Sequence, residues 1–479
     1  MSNVRVLSWL LVAALCAGCS VRRPYEAPVP VAPAAWVEVA PPPADVDALS
    51  AWWATFGDPE LTSLVGRAVA GNPDVRTALS RLREARASAS SARAPLTPTV
   101  DVSGSARATG GGKNVPTTTT YTLGFDAGWE IDVFGGIQSA LDAATATAEA
   151  READLQDVLV SLAAEVAVDY IDVRAAQSRL DIARANAGIQ EQTLDLTRFR
   201  LQAGLATDLD VQQAVSNLES TRAQIASLEG QAAQAIHRVA VLLGQPPAAL
   251  NAELSSTGRI PVAPIAVALG VPAEALRRRP DVRSAERQLA AQFAQVNVAR
   301  ADLYPTFRLA GSIGLESLSL ARLFLPVGLW NASPSVSSRI FNRQQLRQNL
   351  VIESERQEQA ARTYESRVLG ALQEVEDSLT ALAQEQVRRD HLSSATDAAG
   401  QAADLSLQLY TAGLRDFRDV LDAQRSLLSL QDQLASSGAT VSTELVRLYK
   451  SLGGGWAAAS LVPDGASLTQ NVTKNGENK

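Results

Sequence analysis

Two long stretches of the chain carry apolar residues at the spacing of an α-helix. The first, residues 136–203, contains no proline and has Gly188 as its only internal break. Its apolar positions recur every three or four residues, as in Leu155, Leu159, Leu162, Val166 and Tyr170. Residues 342–411 form a second stretch of the same kind, and each helix would be about 100 Å long at about 1.5 Å per residue. Shorter return helices are predicted over 208–243 and 416–452, after Gly-containing turns.

Other segments alternate between apolar and polar residues, which is the period of a β-strand. Over 121–133 every odd position is apolar, from Tyr121 through Phe125 and Trp129 to Val133, and the even positions are polar, acidic or glycine. Residues 99–108 and 307–315 alternate similarly, and a weaker fourth strand is expected over 335–341. This pattern is typical of membrane β-barrel strands, although soluble half-buried sheets share it. Four strands cannot close a barrel, since the smallest need about eight, so a membrane barrel would have to be shared between chains.

The chain contains an internal duplication. Pro73-Asp74-Val75-Arg76 returns as Pro280-Asp281-Val282-Arg283, Ala92-Arg93-Ala94 as Ala299-Arg300-Ala301, Pro98-Thr99 as Pro305-Thr306, and Ala203-Gly204-Leu205 as Ala412-Gly413-Leu414. Two copies of one helix–strand–helix unit are therefore predicted. The first repeat is expected over 51–244, with strands at about 97–134, and the second over 273–456, with strands at about 305–341. A Pro-rich linker, 245–272, would join them, and 457–479 would be a flexible tail.

The N-terminus has the features of a processing signal. Residues 6–14 are apolar but too short to span a bilayer, and Cys16-Ala17-Gly18-Cys19-Ser20 follows. Small residues before a cysteine resemble a lipobox, with Cys16 where leucine is usual. We expect a signal peptide over 1–18, a lipid on Cys19, and an extended Pro-rich tether over 19–50. An ordinary cleaved signal peptide is the alternative, and Ser20 favours the outer membrane over the inner one.

Composition argues against an enzyme and against a nucleic-acid partner. The net charge is −8, and no Lys/Arg cluster offsets it. The chain is 46% hydrophobic but 5% aromatic, which suits long packed helices better than a thick globular core. Neither His237 nor His391 has a cysteine partner or metal-ligand spacing around it, and no nucleophile elbow or phosphate-binding loop is present. We expect no catalytic site, no metal and no cofactor beyond the lipid.

Several motifs together resemble one family. They are Pro24-Tyr25 in the tether, Trp52-Trp53 with Phe56-Gly57-Asp58-Pro59, the segment from Trp129 to Gly135, and both Ala-Gly-Leu turns. In these residues the chain resembles the TolC/OprM outer-membrane factors of tripartite efflux systems, in the lipoprotein branch of OprM and NodT. The resemblance spans nearly the whole mature chain.

The resemblance implies an α+β membrane protein that forms a homotrimer. Four strands per chain would build a shared twelve-stranded outer-membrane barrel, continued by a long periplasmic α-helical barrel. The implied function is a passive exit duct for small molecules, joined through a periplasmic adaptor (a membrane fusion protein) to an inner-membrane pump. A type I secretion duct and a non-conducting coiled-coil envelope lipoprotein are the alternatives. The cargo stays open among drugs, metal ions, solvents and polypeptides.

The resemblance also implies two sets of functional residues. The adaptor-docking tips would be Gly204, Leu205, Ala206, Thr207, Gly413 and Leu414, and the periplasmic gate would comprise Asp419, Asp422, Arg415, Tyr410 and Asp210. Asp419 and Asp422 are three residues apart, so they share a helix face, and a trimer would bring six carboxylates into a constriction that favours cations. Locking contacts would join Tyr410 to Asp210 and Arg415 to the neighbouring first-repeat turn. The alternative is that both aspartates are ordinary solvated charges.

Overall fold

The computed structural model describes residues 21–29, 33, 36, 49–111, 115–263, 276–324 and 328–455. Cys19, the signal peptide, the predicted C-terminal tail, most of the tether and the last part of the linker lie outside these residues. The chain divides into two compact units. The first comprises Met1–Val29, Leu79–Ala153 and Arg283–Arg367, and the second Pro30–Ala78, Asp154–Val282 and Val368–Lys479.

Helices make up most of the described chain. In chain order they are α1 Pro59–Gly71, α2 Pro73–Arg93, α3 Gly136–Gln202, α4 Asp208–Leu242, α5 Asn251–Leu254, α6 Pro280–Ala301, α7 Arg343–Thr411 and α8 Phe417–Ser451. The 67 residues of α3 and the 69 of α7 confirm the two long helices expected from the apolar periodicity. The return helices α4 and α8 have 35 residues each, also as expected.

The Phe56-Gly57-Asp58-Pro59 motif is a helix start. Gly57 adopts a left-handed φ of 62°, and Asp58 caps α1 by accepting the backbone N–H groups of Glu60 and Leu61 at 2.9 and 3.1 Å. Pro59 fits the first helical position, where no intrahelical N–H bond is lost. The other carboxylate oxygen of Asp58 accepts the Tyr170 hydroxyl of α3 at 2.8 Å, so one side chain both begins α1 and fixes it to the long helix.

The core of the second unit is built from small and aliphatic residues with a few aromatic anchors. On α3, Leu159, Val166 and Tyr170 are buried, as the helical periodicity requires. Trp52 is fully buried, and its ring stacks on Tyr449 of α8 with 5.5 Å between centroids. Trp52, the first tryptophan of the Trp52-Trp53 motif, is therefore a packing residue.

The first unit carries a four-stranded antiparallel sheet in the order β1-β2-β3-β4. The strands are β1 Thr99–Gly111, β2 Val115–Ile131, β3 Thr306–Ser317 and β4 Gly328–Ser337. Each repeat supplies one hairpin, as predicted, and β2 pairs with β3 across the duplication. Strands β1 and β4 each have a single neighbour in this sheet, so both leave one edge unpaired by the described chain.

The boundary predicted for the fourth strand was wrong. Residues 335–341 were expected, whereas β4 is Gly328–Ser337 and the chain leaves the sheet before Ile340 and Phe341. Asn342 has a left-handed φ of 67°, and its carbonyl accepts the Gln345 N–H at 3.1 Å, so this stretch belongs to the start of α7. Pro334 lies inside β4. A strand with one edge unpaired within its chain tolerates a proline. In the sequence, this proline hid the alternating pattern of the strand.

Candidate functional site

The sheet separates apolar and polar side chains onto opposite faces. The register aligns one row of apolar residues across all four strands: Val102, Phe125, Ile313 and Trp330. All four are exposed, from 55% for Phe125 to 79% for Trp330. Such a row would be costly in water and is what a lipid-facing barrel wall requires.

The neighbouring row on the opposite face is polar. It comprises Asp101, Asp126, Ser312 and Asn331 in register, and nearer the helices Arg308 pairs with Glu130 at 3.0 Å. Because side chains alternate along a strand, these residues point away from the apolar row. The sheet thus has one face suited to hydrocarbon and one suited to water.

Aromatic rings lie at the helix end of the apolar face. The ring of Phe134 stacks on Tyr304 with 4.8 Å between centroids and lies 6.3 Å from the ring of Phe307. Trp129 donates its indole N–H to the Leu96 carbonyl at 3.2 Å. Aromatic residues gather at this level in membrane barrels because the rings are apolar and their polar groups can reach water or backbone.

The two Ala-Gly-Leu turns close the helical hairpins with the same backbone geometry. Gly204 and Gly413 have φ of 75° and 76°, a left-handed conformation that glycine adopts without a Cβ penalty. In each turn the following leucine N–H reaches back to a carbonyl of the last helical turn, Leu205 to Arg200 at 2.8 Å and Leu414 to Leu409 at 2.9 Å. Both leucine side chains project outward, 65% and 71% exposed.

The starts of the return helices differ. Thr207 and Asp210 form a reciprocal capping box at the start of α4: Thr207 N–H donates to the Asp210 carboxylate at 2.8 Å, and Asp210 N–H donates to Thr207 Oγ1 at 3.3 Å. Asp416, the N-cap of α8, makes no side-chain capping bond. The Asp210 carboxylate is therefore used within its own turn.

Asp419 and Asp422 lie together on the accessible face of α8. Val420 and Leu421 between them are 0% and 3% exposed and join the core cluster that packs the hairpins, whereas both aspartates remain accessible. The predicted shared face is confirmed. Each aspartate faces an arginine four residues earlier: Arg415 lies 3.5 Å from Asp419, and Arg418 lies 3.8 Å from Asp422.

Tyr410 is held by a residue that the sequence did not single out. Its ring is 4% exposed and packs against Phe417 at 5.2 Å between centroids. The Arg200 guanidinium lies 4.5 Å above the ring and also donates to the Thr411 carbonyl at 3.0 Å. The Tyr410 hydroxyl is buried and has no hydrogen-bond partner among the described residues, so the implied bond to Asp210 is not formed within one chain.

Two arginines that contact the predicted gate residues, Arg200 and Arg418, were missed in the sequence for different reasons. Arg418 could have been found, because a spacing of four residues to Asp422 is the standard helical ion-pair spacing. Arg200 could not, because its contact with Tyr410 joins residues far apart in sequence and depends on how the two hairpins pack. Arg415 lies in the turn before α8 and faces Asp419 at the start of that helix, rather than the first-repeat turn of the same chain.

Within the ranges that the structure covers, no cluster of His, Cys, Asp and Glu could hold a metal ion. None of the helices in those ranges has the length and apolarity that a membrane span requires.

Comparison with known proteins decides the family. The family model described as outer membrane efflux protein matches residues 64–245 and again residues 271–454. The chain belongs to the outer membrane efflux protein family. Membership confirms the outer-membrane location, the channel function and the expectation that this efflux protein is not an enzyme.

Individual relatives match along almost the whole chain. The pyoverdine export outer membrane protein OpmQ of Pseudomonas aeruginosa is 34% identical over 469 residues, covering 95% of this chain and 97% of OpmQ. Nodulation protein T of Rhizobium leguminosarum bv. viciae is 32% identical, covering 96% of both chains. The solved structure of the outer-membrane channel OprN superposes with a TM-score of 0.85 at 35% identity, over 92% of this chain and all of OprN.

Proposed function

We propose that the efflux protein works as a homotrimer whose twelve strands close one barrel in the outer membrane. The observation that carries this proposal is the four-stranded sheet with an exposed apolar face and two unpaired edges. Each unpaired N–H or C=O in hydrocarbon costs several kcal/mol, so an open sheet cannot remain in lipid. Pairing β1 of one chain with β4 of the next removes both edges.

The gate is proposed at the second hairpin. Asp419 and Asp422 share an accessible face directly after the turn, and α8 is fixed behind them by the buried Val420 and Leu421. In a trimer six carboxylates would meet, and this negative ring would attract cations to the constriction. Arg415 and Arg418 would offset part of that charge, because each lies beside one of the aspartates.

Single-channel conductance in a planar bilayer tests this function. The trimer should pass a small cation-selective current, and Asp419→Ala with Asp422→Ala should raise the conductance and reduce cation preference. The matched control is Glu219→Ala with Glu229→Ala, which removes two exposed carboxylates of α4 that also pair with arginines. An identical current in wild type and the aspartate variant would end the gate assignment. Absence of current from correctly inserted protein would contradict the proposal that one trimer encloses a single conducting passage.

The hairpin tips are the proposed docking surface for a periplasmic adaptor. Leu205 and Leu414 are apolar and exposed, and each backbone N–H is bonded to the preceding helix, which suits a protein contact. A photo-reactive amino acid at either position should cross-link in cells to a periplasmic adaptor protein identified by mass spectrometry. The same probe at Leu369, an exposed leucine of α7, is the control. Equal adaptor yield at all three positions would contradict docking at the tips.

Cys19 is the proposed site of the N-terminal lipid. The support is the small-residue sequence before it and the Pro-rich tether after it. Labelled palmitate should be incorporated into wild type and not into Cys19→Ser. Continued labelling of the serine variant would show that another residue carries the palmitate.

The proposed cargo is small molecules, and the proposal does not name one compound. OpmQ is named for pyoverdine export and nodulation protein T for nodulation, yet the two are almost equally similar to this chain. Overall identity therefore does not select a cargo. Transport assays with a cognate pump would make that choice.

A further inference from the structure

The described part of the tether is fixed to the first unit by specific contacts. Arg22 pairs with Asp142 of α3 at 2.7 Å, and the Tyr25 hydroxyl donates to Glu286 of α6 at 2.8 Å. The Tyr25 ring meets the edge of Phe293 with 5.6 Å between centroids. A cavity of about 300 Å³ lies between this segment and the two helices. Residues 22–25, called the strap below, are therefore a docked element.

The main chain of the strap and the guanidinium of Arg300 meet at one amide side chain. The Asn297 side chain is 5% exposed; its Nδ2 donates to the Arg23 carbonyl at 3.0 Å, and its Oδ1 accepts the Arg23 N–H at 3.4 Å. The same Oδ1 accepts Nη1 of Arg300 at 2.9 Å. Burial lowers the pKa of Arg300, and the positive charge of Arg23 lowers it further. Among the described residues no carboxylate forms an ion pair with Arg23 or Arg300, so two like charges lie together without a counter-charge.

The arginine pair lies just below the aromatic residues of the sheet. Arg300 is in the last turn of α6, one turn before Tyr304, which stacks on Phe134. Phe134 in turn approaches Phe307, which is on the apolar face of β3. In a membrane barrel that aromatic level marks the boundary of the hydrocarbon, so Arg300 and the adjoining strap lie at the depth of the lipid headgroups on the periplasmic side.

The duplicated position in the first repeat lacks this arrangement. Arg93 corresponds to Arg300, but Ser90 stands where Asn297 would be. The Ser90 hydroxyl donates to the Arg86 carbonyl of its own helix at 3.0 Å. The first copy therefore retains the arginine without the amide that binds the strap, and the pair of unneutralised charges is specific to the second copy.

We propose that Arg23 and Arg300 bind the phosphodiester headgroup of an anionic phospholipid in the periplasmic leaflet of the outer membrane. Guanidinium groups donate paired N–H groups to phosphate oxygens, and the lipid phosphate would neutralise the two charges that the protein leaves unpaired. The proposal depends on the outer-membrane location and on the strap. It does not depend on the gate, on the adaptor or on the lipid at Cys19.

Native mass spectrometry of the delipidated full-length protein tests the site, with phosphatidylglycerol titrated into detergent micelles. Removing both charges in Arg23→Ala with Arg300→Ala should weaken phosphatidylglycerol binding by about 25-fold, since one basic residue near a lipid surface contributes about a fivefold factor. Arg23→Lys with Arg300→Lys should retain most of the binding, because the charge remains. Arg93→Ala is the matched control and should leave binding unchanged.

Three outcomes would overturn the proposal. One is equal binding of phosphatidylglycerol by wild type and the double alanine variant. Another is equal binding of phosphatidylglycerol and zwitterionic phosphatidylcholine by wild type, which needs no variant and so does not depend on variant folding. The third is displacement of the lipid by inorganic phosphate at the same concentration, which would indicate a general anion site. Channel conductance, measured in parallel, should be unchanged in the double variant, so this test is separate from that of the gate.

Discussion

The assignment of the two sheet faces makes a sharp prediction at Ile313 and Ser312. These neighbours lie near the middle of the 12-residue strand β3, at the same depth, and differ in the face they occupy. Ile313 belongs to the apolar row and is 63% exposed, whereas Ser312 is in register with Asp126 on the polar face. An arginine should therefore be tolerated at Ser312 and damaging at Ile313.

The magnitude follows from the cost of placing arginine in hydrocarbon. At the bilayer midplane this is about 2–4 kcal/mol for each lipid-facing side chain, so three copies in the proposed trimer would cost about 6–12 kcal/mol. A cost of this size is comparable with the whole stability of many folded proteins, about 5–15 kcal/mol. Arginine at Ser312 faces water and can pair with Asp126, so its expected cost is near zero.

Urea unfolding in lipid vesicles, followed by heat-modifiable migration in gels, measures the difference. Ile313→Arg should lose the folded barrel band or unfold at much lower urea than wild type. Ser312→Arg should behave as wild type. Equal damage by both substitutions, or greater damage at Ser312, would refute the assignment of the apolar row to lipid.

Three further predictions concern the periplasmic end. Arg415→Ala with Arg418→Ala should increase cation preference in bilayer recordings, because each arginine lies beside an aspartate of the proposed gate; unchanged selectivity would remove them from it. Arg200→Ala should destabilise the packed hairpins by about 2–4 kcal/mol, by loss of a cation–π contact and a charged hydrogen bond, as measured by urea unfolding. The exposed Arg198→Ala is its control, and equal effects would contradict the role given to Arg200. Backbone hydrogen exchange should be faster at the start of α8 than at the start of α4, since only α4 has a side-chain cap; the opposite order would refute this difference.

The sequence predicted the parts of this protein that depend on local pattern. The helix lengths were predicted from the spacing of apolar residues. The turns at Gly204 and Gly413 were predicted because a left-handed backbone conformation favours glycine. Strand β4 was misplaced because Pro334 and the polar residues around it hide the alternation. The partners of Tyr410 were also unpredictable, because the Arg200 contact depends on how two hairpins pack and pairs residues far apart in the chain.

The duplication gives this protein two hairpins of closely similar length that have diverged at their tips. At the tips, the first copy has the Thr207–Asp210 capping box, whereas the second lacks a capping side chain and carries Asp419 and Asp422 on its exposed face. A side-chain cap contributes about 1 kcal/mol to a helix start, so the second tip is the less anchored of the two. Fewer local bonds must therefore break for α8 to shift than for α4. If the passage opens by movement of the tips, the second hairpin is the one that the structure leaves freer to move, and it carries the proposed gate charges.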